Sequence, residues 1–193
     1  MKKEEIKLGV EKGKVVLDEY NDEWERIYKE EEKKLNRLIG KYVIKIEHVG
    51  STAIPGLIAK PIIDIGIAVE DLNKNLDYIE ILKNNGYEYR DDNGIKGERL
   101  FKKINNGLTT HFIHVVEIKS KRWHDFITFR DYLLSHPEEI KTYADLKKSL
   151  EKKYANDRKQ YTASKNKYIS EIIKQADEIN NNSSTSNNQT TNE

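Results

Sequence analysis

Cysteine is absent from all 193 residues. That excludes disulfides and thiolate metal sites, and it suits a protein of the cytoplasm. An excess of charge of one sign is missing too. The chain has 34 Lys and Arg against 33 Asp and Glu, a net charge of +1. Charge therefore does not indicate nucleic acid as the main partner. No apolar run approaches the roughly 20 residues that a membrane-spanning helix needs. The start MKKEEIKLGV lacks the apolar centre of a signal peptide. A cytoplasmic protein with no membrane partner is expected.

Hydrophobic residues make up 36% of the chain and charged residues 35%. A core can form, but many charges must lie on solvated helix faces. The stretch NNNSSTSNNQTTNE (180–193) has no apolar side chain and reads as a disordered tail. Residues 1–14 are charged and read as a loose N-terminal segment.

Between these ends the pattern predicts one domain over 15–179. Val15-Val16-Leu17 reads as extended, and Asn21 or Asp22 can cap a helix carrying Trp24, Ile27, Leu35 and Leu38 to Gly40. Tyr42 to Val49 and Pro61 to Val69 read as strands, separated by a turn and a helix that Pro55-Gly56 keeps short. A helix is expected from an Asp71 cap to Asn84, ending at Gly86. Strands follow at about 87–90, 98–104 and 109–117. Apolar residues at helical spacing then recur in three runs, around Trp123–Leu134, Ile140–Tyr154 and Tyr161–Ala176. The expected architecture is α+β: a small mixed sheet in about 15–117, backed by helices, and a helical half over about 121–179.

The segment EHVGSTAIPGLIAKPIIDIGIA (47–68) carries the chemistry. Strand parity sends Ile63, Ile65, Ile67 and Val69 to one face, and Ile62, Asp64, Gly66 and Ala68 to the other. Asp64 is then either held by local backbone donors or faces a metal or ligand. Gly50-Ser51, where a strand gives way to a turn, can cradle phosphate oxygens, and Lys60 adds a cation. His111 and His114 must point to opposite faces of their strand. His114 is the one favoured for the site. A metal set of Asp64, His114 and His48 would suit a transition metal better than magnesium. Arg130 and Lys165 are cations in apolar helix stripes. A pocket for an anionic ligand would account for both, although Arg130 could instead pair with Asp131 or Glu138.

The run Val49-Gly50-Ser51, twelve residues, then Asp64-Ile65 resembles the signature of the polymerase beta-like nucleotidyltransferase superfamily. HVGSTAIPGLIAKPIIDI, HFIHVVE (111–117), FRDYLLSHPE (129–138), LKKSL (146–150) and YTASK (161–165), with Tyr20, Trp24 and Tyr143, more closely resemble the GrpB family. The resemblance covers roughly residues 15–176 and implies a nucleotidyltransferase-like fold. Active superfamily members carry a second carboxylate two residues after the first, and the pair binds two divalent cations. Here that position is Gly66, and His111, His114 and Glu117 are offered for a third ligand on a later strand.

The resemblance implies a protein that binds a nucleotide or another phosphorylated small molecule and transfers a nucleotidyl group. In that reading Asp64 and His114 are catalytic, and Gly50, Ser51, Lys60, Arg130 and Lys165 hold phosphate. Magnesium or a transition metal is the implied cofactor. The alternatives are a non-catalytic module for a nucleotide or a protein partner, and a hydrolase using a single metal.

Overall fold

The structure, a computed structural model, describes residues 7–90 and 96–187. Helix α1 (Glu23–Ile39) starts beside Asn21, whose side chain accepts from the Glu23 amide at 2.9 Å. Asp22 makes no side-chain cap. A 3-10 turn at Gly40–Tyr42 takes up the residues after α1, so strand β1 (Lys45–Val49) begins later than its β-branched pattern suggests.

Strand β2 (Ile63–Val69) follows a second 3-10 turn at Ser51–Ala53. Asp71 does not cap a helix. It accepts from the Asn73 amide at 2.8 Å in a tight turn, and α2 (Asp77–Asn84) starts six residues later. Strands β3 (Tyr87–Arg90), β4 (Glu98–Asn105) and β5 (Leu108–Glu117) complete the sheet. Part of the turn expected between β3 and β4 lies outside the described residues. Helices α3 (Lys121–Ser135), α4 (Pro137–Tyr154) and α5 (Arg158–Asn187) form the C-terminal half.

The sheet order is β1-β2-β5-β4-β3. Only β2 and β5 are parallel, so the sheet is mixed. One face takes Ile63, Ile65, Ile67 and Val69 of β2 with Ile113 and Val115 of β5, and buries them beneath Trp24, Leu35 and Ile39 of α1 and Tyr78 and Leu82 of α2. This is the parity split that the isoleucine run predicts. On the opposite face Trp123 of α3 packs on Ala68 and Val116. Phe129, Leu133, Tyr143, Ile172 and Ile173 join α3, α4 and α5 around Ile54 and Leu57. The second sheet face and the helical half therefore enclose a space between them. Among the described residues, no helix is long and apolar enough to cross a membrane.

Both chain ends differ from expectation. The Gly9 amide donates to the Pro61 carbonyl at 2.7 Å, Val10 bridges Thr109, and Val10 and Val15 are buried. Residues 9–14 are thus tied to the domain, because the buried Val10 and the Gly9 and Val10 backbone hydrogen bonds hold the charged stretch to the sheet edge. The first six residues lie outside the described set. Helix α5 runs to Asn187, so the tail expected to be disordered from residue 180 starts inside a helix, and residues 188–193 lie outside the described set.

Deleting residues 1–14 should lower stability by roughly 2 kcal/mol or more, through one buried valine and the lost backbone hydrogen bonds. The midpoint of urea unfolding measures this. An unchanged midpoint would return the segment to a loose appendage.

Candidate functional site: a cationic cleft over Asp64

Cross-strand pairing sets the geometry. Asp64 of β2 lies opposite Val49 of β1 and Phe112 of β5, and Gly66 lies opposite His114. Residues that pair in register share a face, so Asp64 and His114 both point away from the α1–α2 core. The Asp64 side chain is about 32% exposed and opens into a cleft of about 910 Å³. Gly50, Ser51, Lys60, Asp64, His114 and Lys165, six of the predicted site residues, line it together.

Gly50 belongs there for a steric reason. Its φ is +72°, and a Cβ at this position would lie 2.6 Å from Asp64 Oδ2 and 2.9 Å from Asp64 Cβ. The turn is bare so that the carboxylate can rest on it. Ser51, the next residue, sits beside the Tyr143 hydroxyl.

His114 holds the centre. Its Nδ1 lies 2.6 Å from Glu98 Oε1, and its Nε2 lies 3.5 Å from Asp64 Oδ1. Arg122 Nε donates to the other Glu98 oxygen at 2.9 Å. Burial alone would drive His114 toward neutrality, but hydrogen bonds to Asp64 and Glu98 outweigh it and raise the imidazole to about 9. Asp64 is held below the usual carboxylate range: burial opposes its ionisation, and the contact with His114 overcomes it. The chain Asp64–His114–Glu98–Arg122 is therefore two carboxylates and two cations, neutral as a unit.

Glu98 is the acid that sequence reasoning missed. Its strand was predicted, but only the register of β4 on β5 brings it beside His114. Glu117, offered instead, accepts from the Leu72 amide at 3.2 Å and serves a loop.

Other cations surround this neutral chain. Lys60 and Lys165 approach the buried Tyr161 ring, with their amines 5.8 and 4.7 Å from its centroid. Burial lowers Lys60 to about 7, helped by the charges of Lys165 and Arg158. Burial likewise lowers Lys165 to about 8. Arg158 also lines the cleft, with its guanidinium donating to the Lys14 and Glu11 carbonyls. Lys147 of α4 is 2% exposed; its amine donates to the Ile58 carbonyl, and burial pushes it well below the usual lysine range. Lys147 falls at i+4 from Tyr143 and i−3 from Leu150. That inward-cation spacing, the one that singled out Lys165, could have found it in the sequence.

Two predicted residues, Arg130 and His48, leave the site, and the alternative histidine, His111, lies outside it too. Arg130 donates to Asp131 Oδ1 at 2.7 Å, and to Glu47 Oε2 and the His48 carbonyl at 2.9 Å each. It clamps α3 to β1, so of the two inward-facing cations only Lys165 reaches the cleft. His48 pairs with Ile65 and thus faces the α1–α2 core, stacked on Tyr28. Both its ring nitrogens have protein partners, Glu25 and Thr52, at 3.0 Å. His111 also points to the core face, where burial lowers it to about 4.

The donor set does not fit the implied metal. With His48 on the far face, the set of Asp64, His114 and His48 does not assemble. Among the described residues no group of three or more His, Asp or Glu could hold an ion. Gly66 is closed as well: a Cβ there would lie 3.2 Å from Val49 Cγ1 and 3.3 Å from Trp123 Cζ3. The place of a second carboxylate is filled by an indole and an isopropyl group.

Comparison with known proteins agrees with the resemblance at family level. The sequence model of the family described as GrpB protein matches residues 14–175. The glutamate-rich protein GrpB of Alkalihalophilus pseudofirmus is 42% identical over 171 residues, 86% of this chain and 98% of that protein. The crystal structure of GrpB from Enterococcus faecalis superposes with a TM-score of 0.76 at 31% identity, covering 83% of this chain and 96% of that one. A chain of the Cid1 poly(U) polymerase overlaps more loosely, with a TM-score of 0.41 at 13% identity over 69% of this chain and 44% of that one. That overlap is too partial to bear on what this chain does.

Gly66→Asp should cost about 3 kcal/mol or more, because the new side chain must displace Val49 and Trp123 from an already filled layer. Gly66→Ala should cost about 1 kcal/mol. Chemical denaturation separates the two. A Gly66→Asp variant as stable as the parent would show that the layer can open.

Proposed function

Since the chain belongs to the GrpB family, we propose that its cleft binds a phosphorylated small molecule, nucleotides included, in the manner of a binding module. One observation carries this reading. Asp64 and Glu98 are already balanced by His114 and Arg122, while Lys60, Lys165 and Arg158 line the same cleft without a carboxylate ion pair among the described residues. Unpaired cations in an enclosed space are costly, and an anion with several oxygens relieves that cost. Gly50 and Ser51 supply a polar floor beneath it.

Nucleotidyl transfer by the two-cation route lies outside this reading, because Trp123 and Val49 occupy the place of the second carboxylate. His114, wedged between Asp64 and Glu98, serves as a fixed positive charge. A cytoplasmic setting, where phosphorylated metabolites are found, belongs to the same proposal.

Calorimetric titration with pyrophosphate and with ATP tests it. Binding is expected to persist in chelator, and Lys165→Ala should weaken it about tenfold, the loss of one charge-assisted contact. Binding that needs magnesium, or no binding of either anion, overturns the proposal.

The pH dependence has a definite sign. The protonated amines attract the anion, and each proton lost removes that attraction. Affinity should therefore fall as pH rises from about 7 to about 9, through the ranges of Lys60, Lys165 and His114. Affinity that stays flat or rises over that range would remove the lysines from the site.

A further inference from the structure

Lys60 and Lys165 reach the cleft from different elements and meet over one ring. Lys60 precedes β2 on a backbone held by the pairing of Asp18 with Ala59 and by the Ile62 amide donating to the Lys60 carbonyl. Lys165 stands on α5, one turn after Tyr161, which is fully buried and so gives both amines a fixed platform. Arg158 lines the same space.

We propose that Lys60 is a nucleophilic amine, placed to form an imine with a phosphorylated aldehyde whose phosphate is held by Lys165 and Arg158. The inference rests on the phosphate-binding reading above and adds a reaction to it.

The physical basis is crowding of like charge in a desolvated space. Two ammonium groups and a guanidinium enclosed together are unfavourable, and the least costly relief is for one amine to give up its proton. The groups that face Lys60 decide which. From α5 come Arg158 and Lys165, both positive; from α4 comes Lys147; from the sheet comes Asp64, already engaged by His114. The guanidinium cannot deprotonate. Lys147 is also driven toward the free amine by burial, but at 2% exposure and with its nitrogen committed to the Ile58 carbonyl it does not face a ligand. Lys60 feels both Lys165 and Arg158, and it titrates lower than Lys165, about 7 against about 8. Of the two amines, Lys60 is the one that the surrounding positive charge disfavours more as an ammonium. One cleft thus holds a nucleophile and, beside it, the charges that would orient an anionic electrophile.

The reaction needs no further reagent. The Lys60 nitrogen lone pair forms a bond to the aldehyde carbon as the carbonyl π electrons move to oxygen. A proton passes from nitrogen to that oxygen to give the carbinolamine. Loss of the oxygen as water leaves the C=N bond.

The test uses the full chain and two probes, pyridoxal 5′-phosphate and pyridoxal without its phosphate. After incubation at pH 7.5, borohydride reduces any imine to a stable secondary amine, and peptide mass spectrometry maps it. The expected result is phosphate-dependent labelling of Lys60, about tenfold or more above exposed lysines such as Lys29 and Lys83. Lys60→Arg should abolish that adduct while thermal melting stays near the parent's. Labelling spread evenly over the lysines, preferring Lys165, or equal for the two probes overturns the inference. Pyrophosphate titration of the same preparation separates the two levels. If pyrophosphate binds and Lys60 stays unlabelled, the imine inference fails alone. If pyrophosphate does not bind, the phosphate-binding reading fails beneath it.

Discussion

The site depends on one carboxylate resting on one bare turn. Asp64 can point out of β2 into a cleft only because Gly50 has no side chain, with a virtual Cβ 2.6 Å from its oxygen. A mid-strand aspartate facing helices would be costly if left alone. His114, one strand away, removes that cost, and Glu98 with Arg122 fixes His114 in turn. Four side chains from β2, β5, β4 and α3 thus form one satisfied unit, which ties the sheet to the helical half.

That unit also shapes the rest of the cleft. Because it is internally neutral, its Asp64 charge offsets the remaining cations only in part. Lys60, Lys165 and Arg158 are left as an unbalanced cluster on a wall of buried aromatic rings. The same packing removes the chemistry that the superfamily resemblance implies. Trp123 anchors α3 on Ala68 and Val116, and its indole closes the space over Gly66. The helix that roofs the cleft is thereby what denies it a second metal-binding acid.

Much of the architecture was legible because it rests on short-range periodicity. The isoleucines of β2 alternate with Asp64, Gly66 and Ala68, and that alternation placed the core face and the site face correctly. The helical half was legible from its 3.6-residue stripes, down to Lys165 as an inward cation. The same rule read Arg130 wrongly as a cleft residue. Facing inward is a property of the helix, whereas finding Glu47 and the His48 carbonyl there is a property of what the helix packs on; the pairing with Asp131, the stated alternative, is the one that holds. Asp71 was misread because an aspartate can close a tight turn on its own as readily as it can cap a helix. The buried Val10 was hidden by its charged neighbours.

By itself the sequence determined the elements, the family, and which residues share a strand face, since these follow from local geometry and spacing. It could state that His111 and His114 point opposite ways, but not which one meets Asp64. That needed the parallel register of β5 on β2, which pairs Gly66 with His114. It could mark Gly66 as the missing acid, but not that Trp123 seals the position. Only tertiary packing brought Glu98 to His114 and gathered Lys60, Arg158 and Lys165 around one cleft. Such charges lie far apart along the chain, and their energies depend on distance and burial, which no local pattern encodes.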